Sequence, residues 1–326
     1  MVQVSRLLYA DASLRAAGRI PSYELDLAYG SDENDFELTC PLDVQMGDGW
    51  LVWLPGTSIG GMVRGVAVKR EGGASWWVYT GPTWTGLLAE RVIRPDSGAD
   101  YWTVSGDLNA VIGSLIGRLG LGAVFERDPD PAGSTVTNYP FDRYIDGYAG
   151  LGKLLRSKGH RLKVDRGGQG RTVLSAVPAV TYSDHGQWPF EVRRSQPVNH
   201  LVCLGEGEMR DRTVVDLYAD RDGNVSQAQT IFGLDEICEV YDTTQPRDDL
   251  IADGTKRLRE LQVPLALTVG LPDGGLWDVG DRVSVADART GVAAEAEITK
   301  AVVTAGAYWG APTVTYECGE PSLKEA

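Results

Sequence analysis

The chain is poor in the residues that usually announce chemistry. Its three histidines, His160, His185 and His200, stand apart from one another, and no metalloprotease HExxH pattern or serine-hydrolase elbow is read from it. An isolated histidine serves more often as a hydrogen-bonded residue than as a ligand. The four cysteines, Cys40, Cys203, Cys238 and Cys318, are widely spaced and form no CxxC pair, which excludes a disulfide framework or thiolate metal knuckle by pattern. Three of them sit in or beside apolar runs, so buried free thiols are expected. No apolar run approaches the roughly 20 residues that span a bilayer, so membrane insertion is not expected. The opening residues lack a signal-peptide core, and export by that route is not expected either. Basic residues are also scarce: 31 Lys plus Arg stand against 45 Asp plus Glu, a net charge of -14. Nucleic-acid backbones are gripped by neutralising phosphates with Lys and Arg, so this chain is not expected to hold DNA tightly.

What is abundant is glycine and short β-type runs. Forty glycines and sixteen prolines divide 326 residues into short pieces. Many are rich in β-branched and aromatic residues: YELDLAYG, GWLVWLPG, RGVAVKR, SWWVYTG, RTVLSAVP, NHLVCLGE, RTVVDLYAD, PLALTVGL, DRVSVAD, AEAEITKAVV and TVTYECG. Helical periodicity is confined to three segments. After Asp107, a good N-cap, Leu108, Val111, Ile112, Leu115, Ile116 and Leu119 form one apolar stripe. A second helix runs through YIDGYAGLGKLLRSKGHR, with Tyr148, Leu151, Leu154 and Leu155 inward and Gly159 at its end. A third follows TTQPRDD, with Thr244 or Gln245 as cap and Pro246 in the first turn. Asp248 and Asp249 near its start and Arg257 and Arg259 near its end suit the helix dipole, and Leu250, Ile251, Leu258 and Leu261 form its buried face.

Several stretches invite a functional reading and have a simpler one. In DRDGN, Asp220, Asp222 and Asn224 alternate as in a calcium loop. The glycine comes at the fourth position, however, and the twelfth is Ile231 where a bidentate glutamate is needed. Strand-like runs flank it, so Asp222-Gly223 reads as a hairpin turn. Gly117, Gly120 and Gly122 follow a helix instead of opening one, so they end it and do not cradle phosphate. The basic island KLLRSKGHRLKVDRGGQGR reads as a solvated helix face, a strand and a Gly-rich turn. The neighbouring carboxylates Asp248–Asp249 and Glu206/Glu208 are accounted for by a helix start and a turn. Trp50, Trp53, Trp76, Trp77, Trp84 and Trp102 crowd the first third, as core fillers or a subunit contact. No catalytic, cofactor-binding or metal-ligating residue is assigned, and no enzymatic activity is expected.

The expected fold is mainly β (α+β), with two similar small β-barrel, tube-like domains and a small α/β domain between them. The boundaries give residues 1–105 as the first barrel, 106–189 as the middle domain and 190–326 as the second barrel with one helix. The two barrels rest on an echo. Gly47–Asp48 and Gly280–Asp281 each precede a strand, a Gly-containing turn, a second strand, a Gly-punctuated turn and a third strand. On this expectation residues 23–81 and 264–319 superpose with one strand order, and three chains present six barrels to a sixfold tube.

The order of these segments resembles the baseplate hub family of siphovirus tail tips, related to the hub of contractile phages. The residues carrying the resemblance are WTGLLAERVIRP followed by GDLNAVIGSLIGRLGL, then VNHLVCLGEGEMRDR, LYADRDGNVS, FGLDEICEVYDTT, DDLIADGTKRLREL and WDVGDRVSVAD. It covers nearly the whole chain through many weak motifs in order. The resemblance implies a structural protein of the virion: a homotrimer joining the tail tube or distal tail protein to a fibre or spike, with DNA passing through unbound. It implies assembly in the host bacterial cytoplasm and supplies no catalytic residue. The chain stops at TYECGEPSLKEA, so the hydrolase domains of some relatives are not carried over. An acidic lumen would let DNA slide. Two alternatives stand beside this one: the hub of a contractile injection machine, and a carbohydrate-binding or carbohydrate-active β protein suggested by tryptophan content and acidity.

Overall fold

The computed structural model describes residues 6–166, 170–184, 188–194, 196–262, 265–271, 277–306 and 312–324. The protein is mainly β. Four helices occur among the described residues: α1 (Trp84–Ala89), α2 (Leu108–Arg118), α3 (Gly147–Arg156) and α4 (Arg247–Glu260). Contacts divide the chain into one unit of residues 1–189, 270–319 and 323–326, and a second of residues 190–269 with 320–322.

In the first unit a run of six antiparallel strands forms the main sheet. Its order is Thr313–Cys318, Val292–Gly306, Glu24–Gly30, Asp35–Pro41, Ala74–Pro82 and Gly65–Glu71. Alternation puts Leu25, Leu27, Phe36, Leu38, Tyr79, Ala301, Val303 and Ala305 on one face, where they share a core with Leu7, Ile20 and Val52. The long strand Val292–Gly306 also pairs through its first half with Arg282–Asp287.

This topology corrects the duplication. Glu24–Gly30 lies inside the main sheet, whereas its supposed counterpart Leu265–Val269 pairs with Phe190–Arg194 in the second unit. The two segments therefore have different strand orders, and the strands of 282–318 join those of 24–82 in one sheet. Local alternation looks the same whichever partner a strand takes, so two ordinary meanders produced the echo.

The two helices of the α/β region form where their caps and apolar stripes place them. Asp107 caps α2 by accepting from the Asn109 N–H at 2.9 Å, and Asp146 caps α3 by accepting from Ala149 N–H at 2.8 Å. Both helices pack on a three-stranded sheet ordered Phe125–Arg127, Thr172–Pro178, His160–Asp165. The core beneath them is continuous with the first segment: Leu51, Trp53, Trp84 and Leu88 join Ile112, Phe125, Phe141, Leu151 and Leu174. The soft boundary at Gly106 lies within the strand Trp102–Asp107, and no separate core begins there. Helix α1 was not foreseen; it is six residues long, too short to show a period, and the Thr83 hydroxyl caps it through Gly86 N–H at 3.2 Å.

In the second unit α4 lies on a four-stranded sheet ordered Val225–Ser226, Val214–Ala219, His200–Leu204, Cys238–Asp242. Leu250 and Leu258 meet Leu201, Cys203, Val215 and Leu217 there. Gly254 allows the close approach: a Cβ on it would lie 2.5 Å from Cys203 Sγ and 2.8 Å from a Leu217 methyl. The helix begins one residue later than expected, with Pro246 itself at the cap and no side-chain cap bond.

Candidate functional site

The DRDGN stretch is a turn. Asp220 Oδ1 accepts from the N–H groups of Asp222 and Asn224, each at 2.9 Å, and Asn224 Nδ2 donates to Asp220 Oδ2 at 3.0 Å. These bonds hold the Asp220 carboxyl below the usual carboxylate range, the Asn224 side chain contributing most. Gly223 takes φ +79°, and Tyr218–Ala219 pairs antiparallel with Val225–Ser226. The strand after the turn is only those two residues, shorter than VSQAQTIFG suggests.

The remaining sequence candidates separate. Gly120, at φ +69°, closes α2. His160 Nδ1 lies 2.7 Å from the Lys158 carbonyl, and His185 falls outside the described residues. His200 has a carboxylate on each ring nitrogen, Glu236 at 2.6 Å and Asp216 at 2.8 Å, and its ring stacks on Tyr218. Asp248 and Asp249 sit in the first turn of α4. Trp53, Trp84 and Trp102 are buried; Trp50, Trp76 and Trp77 are half-buried. Cys40 and Cys203 are buried, and burial pushes their thiols up to about 12 and about 11. Cys238 is exposed and Cys318 half-buried, so the expectation of buried thiols holds for two of the four cysteines; the other two lie on strands that are open to solvent on one side.

The basic island is not simply a solvated face. Two of its arginines are taken up within the unit, one on each face of the strand His160–Asp165: alternation puts Arg166 on the side of Leu162 and Val164, which face the core, and Arg161 on the other side, toward residues 278–281. Arg166 is 1% exposed, its guanidinium 4.2 Å from the Trp53 ring centre and 5.4 Å from that of Trp84, and Nη1 donates to Thr172 Oγ1 at 3.0 Å. Burial lowers its pKa to about 10. Arg161 reaches the WDVGDR stretch. Its Nε donates to Asp281 Oδ1 at 2.8 Å, and its Nη1 lies 3.5 Å from Asp278 Oδ2. Asp281 is fully buried and also accepts from Val180 N–H (2.9 Å) and Asp278 N–H (3.0 Å). The arginine thus fastens residues 278–281 to the α/β region, 120 residues away in sequence.

Beside this clasp lies a cavity of about 210 Å³, within the first unit. Tyr29 donates to Asp278 Oδ1 at 2.8 Å and accepts from Ser58 Oγ at 3.2 Å. Burial first, and then the charge of Asp278, push the Tyr29 hydroxyl well above its ordinary range. Burial also raises the Asp278 carboxyl, with Arg161 opposing it. Across the cavity Arg156 lies 3.6 Å from Glu297.

Ser58 requires a correction to the reading of the sequence. Gly56-Thr57-Ser58-Ile59-Gly60 does have the GxSxG spacing of a hydrolase elbow. An elbow places its serine between a strand and a helix, with a base to take the hydroxyl proton. Here the stretch joins two antiparallel strands, Leu51–Trp53 and Gly60–Met62. Ser58 donates to a tyrosine that holds its own proton firmly, so this bond does not activate it. The cavity has the chemistry of a joint: hydroxyl, carboxylate and guanidinium from distant segments bonded to one another.

No family model and no curated protein matches the chain. Solved structures do. It is similar to a tail protein from Neisseria meningitidis MC58, at 13% identity and TM-score 0.43, covering 97% of this chain and 96% of that one. It is similar to prophage tail protein gp18 from Listeria monocytogenes EGD-e, at 13% identity and TM-score 0.47, covering 97% and 95%. It is similar to the 43 kDa tail protein of prophage MuSo2 from Shewanella oneidensis, at 12% identity and TM-score 0.47, covering 97% and 98%.

Proposed function

We propose that the protein is a structural hub of a phage tail or tail-like particle tip, and not an enzyme. Three copies join a sixfold tail tube or distal tail ring to a threefold fibre or spike and form part of the channel for DNA. The ordered succession of motifs along nearly the whole chain supports this reading. The observation that carries it is the use made of the charged groups around the cavity. Arg156, Arg161, Asp278 and Glu297 are each engaged by another part of the chain. Charge spent on joining segments 120 residues apart suits a scaffold that has to keep its shape under load.

The test is the mass of the purified protein in solution together with low-magnification images. A three-chain ring or cup supports the hub. A compact monomer that binds a saccharide, or hydrolyses peptidoglycan and loses that activity on Ser58→Ala, overturns it.

A further inference from the structure

The main sheet of the first unit ends in two edges of different character. Among the described residues, no strand pairs with the outer side of Gly65–Glu71 or of Thr313–Cys318. The first edge is unusual because it is open on both faces. Val66 stands opposite Tyr79 and Val68 opposite Trp77, so both valines continue the apolar core face, yet they are 55% and 58% exposed. The core stops short of them. At the other edge, Val314 and Tyr316 stand opposite the fully buried Val303 and Ala301 and lie half-buried on that same face. Long exposed strand edges with an apolar row recruit another strand.

We propose that these edges are the two halves of one interface between copies of this chain: Gly65–Glu71 of one copy adds antiparallel to Thr313–Cys318 of the next. The inference rests on the hub reading and names the surface by which the copies meet. Three features select this pairing. The six strands alternate in direction, so a Thr313–Cys318 strand placed beside Gly65–Glu71 keeps the antiparallel order unbroken. Its faces match, because Val66 and Val68 extend one apolar row and Val314 and Tyr316 begin it; a slip of one residue would turn each row to the other face. Its charges also match. Gly65–Glu71 carries Lys69, Arg70 and Glu71, one positive charge in excess, with Lys69 3.6 Å from Glu71, and the other edge carries Glu317 on the outward face, 3.7 Å from Lys300. With Val68 opposite Tyr316, Lys69 lies diagonal to Glu317, within reach of a cross-strand pair. The contact uses different patches on the two partners, so it is head-to-tail and closes into a ring when the rotation per copy allows.

The test places cysteines on the outward face, at Lys69→Cys and Thr315→Cys, in a Cys238→Ser, Cys318→Ser background, with a short bismaleimide as probe. The double variant is expected to cross-link up to a three-chain species, and neither single variant to link. Val68→Lys is expected to reduce the mass to one chain while leaving the melting temperature of that chain unchanged. A three-chain mass without linking in the double variant, or one that survives Val68→Lys, overturns the edge pairing and leaves the hub standing. Dimers from Lys69→Cys alone overturn it in favour of self-pairing. A one-chain mass with no linking overturns both.

Discussion

Replacing Arg161 by methionine removes the guanidinium and keeps most of the apolar stem. The Asp281 carboxylate, with no exposed surface, then keeps two backbone N–H donors and loses its counter-charge. Breaking a buried pair from one side costs about 3–5 kcal/mol. The surviving N–H bonds place this case near the lower end, about 3 kcal/mol on the scale of that principle. All nine tryptophans lie outside residues 190–269, so their fluorescence reads the first unit alone. With a urea m-value of about 3 kcal/mol/M, the fluorescence midpoint at pH 7 should fall by about 1 M. The loss should also depend on pH. Burial raises the folded-state pKa of Asp278 and Arg161 opposes that rise, so without Arg161 it goes higher. A carboxyl whose folded pKa lies above its unfolded value stabilises the fold when protonated and loses that contribution as pH rises through the folded pKa. The deficit of Arg161→Met should therefore shrink as pH is lowered from neutral toward the usual carboxylate range. A midpoint shift of less than a third of that expected, or a deficit that grows on acidification over that range, would refute the clasp.

In the second unit, Gly223→Val should destabilise by about 1–3 kcal/mol through backbone strain alone, since nothing lies within 4 Å of the added Cβ; urea unfolding followed by far-ultraviolet circular dichroism checks this. Asp222→Asn should leave that transition unchanged, because the turn bonds belong to Asp220, and calcium should not raise the melting temperature; a calcium-dependent rise would restore the metal reading. Gly254→Val should cost about 1–3 kcal/mol by forcing α4 off the sheet, with the tryptophan transition unmoved; a neutral result would show that Cys203 and Leu217 give way.

Much of the secondary structure was legible because it is locally encoded. The strand runs, Asp107 as a cap and the Gly223 turn each depend on a few consecutive residues. The assembly of strands into sheets was not. Nothing in YELDLAYG or AEAEITKAVV says that Tyr29 pairs with Ala301. The same gap hid the site. Arg161 and Arg166 look like members of a solvated basic run, and only the partners supplied by residues 278–281 and by Trp53 and Trp84 show them facing inward. Asp281 was visible as part of a Gly-Asp echo, and its real distinction is burial, which a local pattern does not report. Ser58 went unread in its GxSxG spacing, and the hairpin around it shows why the spacing alone carries little.

The central claim is that three copies of this chain make one hub. Sedimentation equilibrium of the purified protein, with negative-stain images of the same sample, measures it most directly. A mass of three chains, from a subunit of 35.2 kDa, and particles with a threefold ring or cup are the predicted result. A single-chain mass that persists as concentration is raised, with compact particles lacking an axis, would contradict it.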